Sequence, residues 1–337
     1  MSWFGLDIGG ANLKAADGQR WARSAPFALW REPEKLAVEL SGLLSCAPDA
    51  SRLAVTMTGE LCDCFRSKAE GVRSILAAVR RVAPHREAHV YLSDGRFASL
   101  NEAEESPQLA AASNWRALAE FAYRYTEPQP GLLIDIGSTT TDIVPLVEGR
   151  PQPRGLNDTE RLLAGELVYT GVSRTPICAV TRSLPWSGRK CAVAAEFFAT
   201  TADAYVLLGD LPANPHAIWT ADGRPLTLEY ARERLARMIC ADALTFSIDD
   251  ARRGAKFIRD TQIIQLQAAL EQVMTAMTVS IGCVVLSGVG EFLARRVVND
   301  TLPGCRVVSL AERLGAQVSE CAPAHALAVL ATEELGP

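Results

Sequence analysis

Two short stretches hold residues whose types and spacing could do chemistry: "LDIGGANLK", residues 6 to 14, and "LLIDIGSTTTDIV", residues 132 to 144. Each runs from apolar residues into an aspartate, turns on glycine, and returns to apolar residues through small or hydroxyl side chains. Glycine lets the backbone turn tightly and lets an anion approach the amide groups. Gly9, Gly10 and Asn12 in the first copy, and Gly137, Ser138, Thr139 and Thr140 in the second, are therefore the candidate phosphate-binding residues. A carboxylate beside a phosphate is tolerable mainly when a hard cation lies between them, which makes Asp7 and Asp135 candidate Mg²⁺ ligands. A single Asp-x-Gly turn is usually only a hairpin turn. Here the copies match in frame, since Asp7 and Asp135, like Gly9 and Gly137, are 128 residues apart. The same offset carries Lys14 onto Asp142, so one loop offers positive charge and the other a metal-facing or base-like carboxylate.

A third element, "VVLSGVGEF", is a buried-type strand that turns through Gly288 and Gly290 into a helix, a corner that favours anions at the helix start. Around these motifs the pattern predicts helices over 34–45, 67–83, 192–208, 227–240 and 248–278, and another from Pro107 to Tyr125. A final helix begins near Pro323, and "ICAV" at 177–180 reads as the end of a strand. Glu196 and Asp203 would then lie on one face of a helix, a solvated face rather than a site. "EPQPG" breaks the chain near residue 130, placing a domain boundary between 1–130 and 131–337, with the last helix free to pack back on the first domain. Alternation of strands and helices gives an α/β chain.

The chain has 337 residues, enough for two cores. Its 34 basic and 39 acidic residues are scattered, which argues against nucleic acid or a membrane surface as partner and for small-molecule substrates. The start lacks a basic leader and no apolar run approaches a membrane span, so a cytoplasmic enzyme is expected. The nine cysteines are dispersed; Cys62 and Cys64 form the closest pair, with no histidine near in sequence, and read as reduced thiols. Oligomeric state is not legible, a homodimer included.

The paired hairpins and the late glycine corner resemble the actin, hexokinase and sugar-kinase superfamily. Within it "DIGGAN" and "DIGSTTTDIV" resemble the hydantoinase A and oxoprolinase group. "MTGELCDCFRSKAEGV", "NDTERLLAGELVYTGVSRTP" and "AEFFATTADAYVLLG" are similar to proteins linked to tetrahydromethanopterin-dependent one-carbon metabolism, the methanofuran-biosynthesis (furan-methyl)amine synthase family. The resemblance implies a two-domain, actin-like and hexokinase-like (ribonuclease H-like) ATPase fold, with mixed sheets flanked by helices and a central cleft. It also implies a transferase reaction in which an aminomethyl-furanmethanol diphosphate meets the phenol of tyramine or γ-glutamyltyramine, forming an ether and releasing diphosphate. Asp7, Asp135, Asp142 and Lys14 would carry that chemistry, with Mg²⁺ as cofactor and ATP not required. Glu60, Asp158, Arg161, Glu166, Tyr169 and Arg174, in the blocks that carry the resemblance, are candidate substrate contacts. Asp158 is equally suited to capping a helix, and Glu166 with Arg174 to a structural ion pair. The competing activities are an ATP-dependent small-molecule kinase or an oxoprolinase-type amidohydrolase, and a non-catalytic nucleotide-binding module.

Overall fold

A computed structural model describes residues 2–47, 50–217 and 219–336. The first part of the chain contains β1 (Ser2–Ile8), β2 (Asn12–Ala16), β3 (Ala22–Pro26), α1 (Leu36–Ser45), β4 (Ala50–Met57), α2 (Lys68–Val82), β5 (Glu87–Tyr91) and β6 (Phe97–Ser99). Three helices follow: α3 (Leu100–Glu105), α4 (Pro107–Ala110) and α5 (Asn114–Tyr123). Next come β7 (Gly131–Ile136), β8 (Thr141–Val147), β9 (Arg150–Pro151), α6 (Asp158–Ala164), β10 (Leu167–Val168), α7 (Ile177–Val180), β11 (Ser183–Trp186) and β12 (Arg189–Ala192). The chain closes with α8 (Thr201–Leu208), α9 (Leu228–Arg237), α10 (Ile248–Ala276), β13 (Cys283–Ser287), α11 (Glu291–Thr301), β14 (Arg306–Ser309), α12 (Leu310–Leu314), α13 (Ala316–Glu320) and α14 (Ala322–Leu335).

The internal echo in the sequence is an echo in topology. One sheet runs β3-β2-β1-β4-β5-β6 and the other β10-β8-β7-β13-β14, with β9 beside β8. In each, the strand that carries the aspartate is flanked by the antiparallel return of its own hairpin and by a parallel neighbour. The registers match too: Asp7 faces Lys14, and Asp135 faces Asp142.

Strand periodicity decides where these groups point, because alternate side chains take opposite faces. Phe4, Leu6 and Ile8 enter a core with α1 and α2. Leu132, Ile134 and Ile136 enter one with α10 and α11. The odd-numbered set, Trp3, Gly5 and Asp7 in β1 and Leu133 and Asp135 in β7, faces the other way. There the helices α5 and α14 lie between the sheets: Trp115, Leu118 and Phe121 pack with Leu133, and Leu327 and Leu330 pack with Trp3. A Cβ on Gly5 would sit 1.8 Å from the Ala324 carbonyl oxygen, so α14 rests directly on β1. The last helix thus packs against the first sheet, and the four charged hairpin residues share the side on which the sheets meet.

Three expectations fail. The helix from Pro107 to Tyr125 is two helices, interrupted where Ala112 takes a left-handed conformation (φ 48°) and Ser113 donates to the Tyr91 carbonyl. The 192–208 helix starts only at Thr201, where Thr200 N–H donates to Asp203 Oδ2; the β11–β12 hairpin, turning on Ser187-Gly188 at positive φ, reaches Ala192, and the residues between are irregular. Glu196 and Asp203 therefore share no helical face; Asp203 is buried, paired with Arg234 at 2.7 Å. The third is "ICAV", which forms the one-turn helix α7 rather than a strand end. Among the described residues no helix is long and apolar enough to cross a membrane.

Candidate active site

The two hairpin turns are built alike. Gly9 N–H donates to the Asn12 carbonyl at 3.0 Å, and Gly137 N–H to the Thr140 carbonyl at 2.9 Å. The second tip is held from behind: Val172 donates to the Gly137 carbonyl, and Ser173 and Arg174 both donate to that of Ser138. Gly171 lies so close that a Cβ there would meet Gly137 O and Thr139 N at 2.6 Å. The first tip is backed by Gly59, whose Cβ would come 3.3 Å from Gly10 N, and by Cys62, whose Sγ would lie 2.8 Å from a Cβ on Gly10. Fixing the carbonyls inward leaves the glycine edge of each turn, with the hydroxyls of Ser138, Thr139 and Thr140 on the second, for a ligand.

The carboxylates at the bases of these turns are held protonated more readily than usual. Burial pushes Asp7 up to about 6 despite the attraction of Lys14. Burial pushes Asp135 up to about 7, the Asp142 charge adds to the rise, and Lys14 opposes it. Lys14 thus acts on the aspartates of both sheets, and Asp7 and Asp135 repel each other, so the bases of the two hairpins lie near one another. Asp7 Oδ1 is buried without a hydrogen-bond partner. Each aspartate also has a hydroxyl residue as its partner on the parallel strand, Thr56 for Asp7 and Ser287 for Asp135, a symmetry that the sequence motifs alone do not display.

Asp142 differs from its counterpart. Its Oδ1 accepts from Arg161 Nη1 at 2.8 Å, both side chains are buried, and the guanidinium lies 3.9 Å from the Trp115 ring centre. Arg161 also donates to the Glu166 carbonyl. Glu166 accepts from the backbone N–H groups of Arg154 and Gly155, at 2.6 and 3.2 Å, rather than pairing with Arg174. These three side chains form the support behind the second hairpin. The glycine corner completes that support: Gly290 N–H donates to the Ile136 carbonyl, and a Cβ on Gly288 (φ 86°) would lie 2.6 Å from Asp135 Oδ1.

The remaining candidates separate. Asp158 is the first residue of α6, but Asn157 supplies the cap; Asp158 instead pairs with Lys68 of α2 at 2.7 Å, linking the two halves. Arg174 reaches the other half as well, 5.2 Å from the Trp30 ring centre. Lys68 and Trp30 carry no motif and were invisible in the sequence for that reason. Tyr169 is largely exposed. Glu60, next to Gly59, is 1% exposed; burial and then the nearby Asp158 push its carboxyl up to about 7. Cys62 is driven to about 11 by burial and by surrounding negative charge, which keeps it a thiol. A cavity of about 820 Å³ lined by Leu208, Leu211, Arg252 and Lys256 shares no residue with this cluster.

Comparison with known proteins extends this picture along the whole chain. The chain is 30% identical over 335 residues, 98% of both proteins, to the (4-{4-[2-(gamma-L-glutamylamino)ethyl]phenoxymethyl}furan-2-yl)methanamine synthase of Methanocaldococcus jannaschii. It is 28% identical to the synthase of the same name from Methanococcus vannielii over 207 residues, 60% of this chain and 91% of that one. Among solved structures, nucleotide-free acetone carboxylase aligns with 97% of this chain and 70% of its own, at a TM-score of 0.55 and 11% identity. The likeness to that structure is one of fold, an α/β arrangement with helices flanking mixed sheets. The hydantoinase/oxoprolinase family model matches residues 52–334, and with hairpins, glycine corner and sheet order all in place the chain belongs to the hydantoinase/oxoprolinase family.

Proposed function

We propose that this protein is a transferase that joins the phenol oxygen of tyramine or γ-glutamyltyramine to the methylene carbon of an aminomethyl-furanmethanol diphosphate, a step in building a methanofuran-type cofactor. The observation that carries the reading is the pair of glycine hairpins whose aspartates, Asp7 and Asp135, both lie within the influence of Lys14, in a chain that aligns end to end with a synthase named for a phenoxymethyl-furan.

The carbon–oxygen bond to diphosphate breaks with its electron pair leaving on phosphate, the phenol oxygen takes its place on carbon, and the phenol proton is lost. Negative charge builds on the departing diphosphate, so contacts that tighten as it leaves lower the barrier. The turns at Gly9–Asn12 and Gly137–Thr140 present backbone and hydroxyl donors to that charge, and Lys14 supplies a cation. Each tenfold in rate needs about 1.4 kcal/mol, so two or three charge-assisted contacts account for several decades. Mg²⁺ fits the donor set as a cofactor, because it commonly uses one or two carboxylates and takes its other ligands from phosphate and water. Asp7 and Asp135 would hold it, and the unpartnered Asp7 Oδ1 is the atom that most needs such a ligand. When bound, the ion neutralises developing charge on the leaving diphosphate. Asp142, already engaged by Arg161, serves by positioning rather than by ligation.

The direct test incubates the protein with the furan diphosphate, an acceptor phenol and Mg²⁺ and follows the ether by mass spectrometry. Ether and diphosphate should appear in equal amounts without ATP. Product formation that consumes ATP would instead mark a kinase or amidohydrolase.

A further inference from the structure

The ether-forming reading leaves one buried ionisable group unused. Glu60 Oε2 is buried and has no hydrogen-bond partner. The residue is built into the wall of the cleft: a Cβ on Gly71 of α2 would lie 2.2 Å from the Glu60 carbonyl oxygen, and the preceding Gly59 touches the Gly9–Gly10 turn. Its charged surroundings are Lys68 and Asp158, and, around the adjacent Cys62, Asp63 and Arg174. Lys68 and Asp158 pair with each other, and Arg174 stacks on Trp30. Backbone N–H groups of Glu60 itself and of Ala112 stabilise the carboxylate, but no neighbouring cation is dedicated to balancing its charge.

We propose that Glu60 receives the primary ammonium of the furan substrate, and that it selects aminomethyl furans over neutral ones. This assignment rests on the ether-forming reading and names the group that the same site recognises. The printed name of the full-length relative ends in methanamine, an amine that is cationic at neutral pH, so its product carries a charge that must be met inside the cleft. A buried carboxylate with one oxygen unsatisfied and no dedicated counter-charge is costly, and a cationic ligand removes that cost in the bound state alone. A divalent ion on this one carboxylate would need several waters or phosphate oxygens around it, for which a side chain 1% exposed leaves little room, whereas an ammonium brings its three donors with it. The chain itself links the two groups: Glu60 directly follows Gly59, which packs against the Gly9–Gly10 turn, so an ammonium at Glu60 would belong to the same ligand as a phosphate on that turn. The raised carboxyl, at about 7, is the expected mark of a site awaiting a cation, because burial dominates until one arrives.

The test compares wild type and Glu60→Gln on two diphosphates, one with the aminomethyl group and one without, at constant acceptor. The substitution should lower kcat/KM for the amine by roughly tenfold to a hundredfold, the range for loss of one charge-assisted bond, chiefly through KM. It should leave the neutral diphosphate almost unchanged. Equal losses on both substrates would overturn the assignment and point to a structural or proton-transfer role. A separate arm needs no turnover: 2-furylmethylamine should bind wild type in the presence of diphosphate and Mg²⁺ with release of protons, and Glu60→Gln should bind it more weakly without release. Equal binding by the two proteins also overturns the assignment. Failure of wild type to form ether on either substrate counts against the ether-forming reading, while the binding arm still decides the role of Glu60. Glu60→Asp keeps the charge and should retain the preference for the amine even if the Gln variant folds poorly.

Discussion

At the scale of single residues, register partners in the second hairpin should behave oppositely when removed. Asp135 has a carboxyl raised to about 7 by burial and by Asp142, so between the ordinary value of 3.8 and about 7 the folded protein binds a proton that the unfolded chain has released. Stability is then fullest at low pH on this account and declines as pH rises through that window. Asp135→Asn should raise the thermal midpoint at pH 8 while leaving it nearly unchanged at pH 4.5, and should abolish most ether formation. Mg²⁺ with diphosphate should recover the wild-type midpoint at pH 8 and do little for the variant, since only a ligand bound to the folded state shifts the equilibrium. A midpoint with the same pH dependence in both proteins would refute the electrostatic account. Asp142→Ala, by contrast, strands the buried Arg161 guanidinium and should cost about 3–5 kcal/mol in a denaturant titration at neutral pH. If that variant is as stable as wild type, Arg161 is not held as described.

Among the elements, the glycine corner after β13 gives the sharpest expectation. Gly288 sits at φ 86°, and a Cβ there would come 2.3 Å from the Ile136 carbonyl oxygen and 2.6 Å from Asp135 Oδ1. Gly288→Ala should cost about 3 kcal/mol, combining backbone strain with a clash against the hairpin, and should lower activity more than that loss of stability explains. Measuring turnover well below the thermal midpoint separates the two effects. The corner was legible in "LSGVG" as an anion-favouring turn; what it does for Asp135 was not, because contacts between residues so distant in sequence leave no local signature. The hairpins were legible for the opposite reason, since glycine, hydroxyl and aspartate at fixed spacing are local chemistry. The support behind them was half visible. Arg161 and Glu166 stood out as polar residues, but Arg161 turns inward to Asp142 and Glu166 to backbone N–H groups, and only folding reveals which way a long side chain points. The β11–β12 hairpin was missed because Ser183–Ala192 is short, with no clear alternation of apolar residues to mark a strand.

For the molecule as a whole, the cleft is bridged at two points by side chains from opposite halves, Lys68 with Asp158 and Trp30 with Arg174. The ion pair is partly exposed, at 32% and 23% for its side chains, so its effect on overall stability should stay below about 1 kcal/mol. Its effect on closure can nevertheless be seen, because a shift of that size changes an open–closed ratio by up to about fivefold. Asp158→Ala should raise KM for the diphosphate by a few-fold, leave the thermal midpoint within a few degrees, and enlarge the radius of gyration measured by small-angle scattering without ligand. An unchanged KM would show that the pair does not govern closure.

The return of α14 to the first sheet also has a consequence for how the chain matures. β1 is made first, yet one of its faces is covered by Leu327 and Leu330, and the Trp3 indole N–H donates to the Gly336 carbonyl. During synthesis that apolar face must wait, uncovered, until α14 leaves the ribosome. A fragment of residues 1–130 should therefore aggregate when expressed alone and become soluble when a peptide spanning 316–337 is supplied with it. Assembly of this protein joins segments far apart in the chain, and a helper that shields hydrophobic strands during translation should raise its yield more than it would for a chain whose halves finish in order.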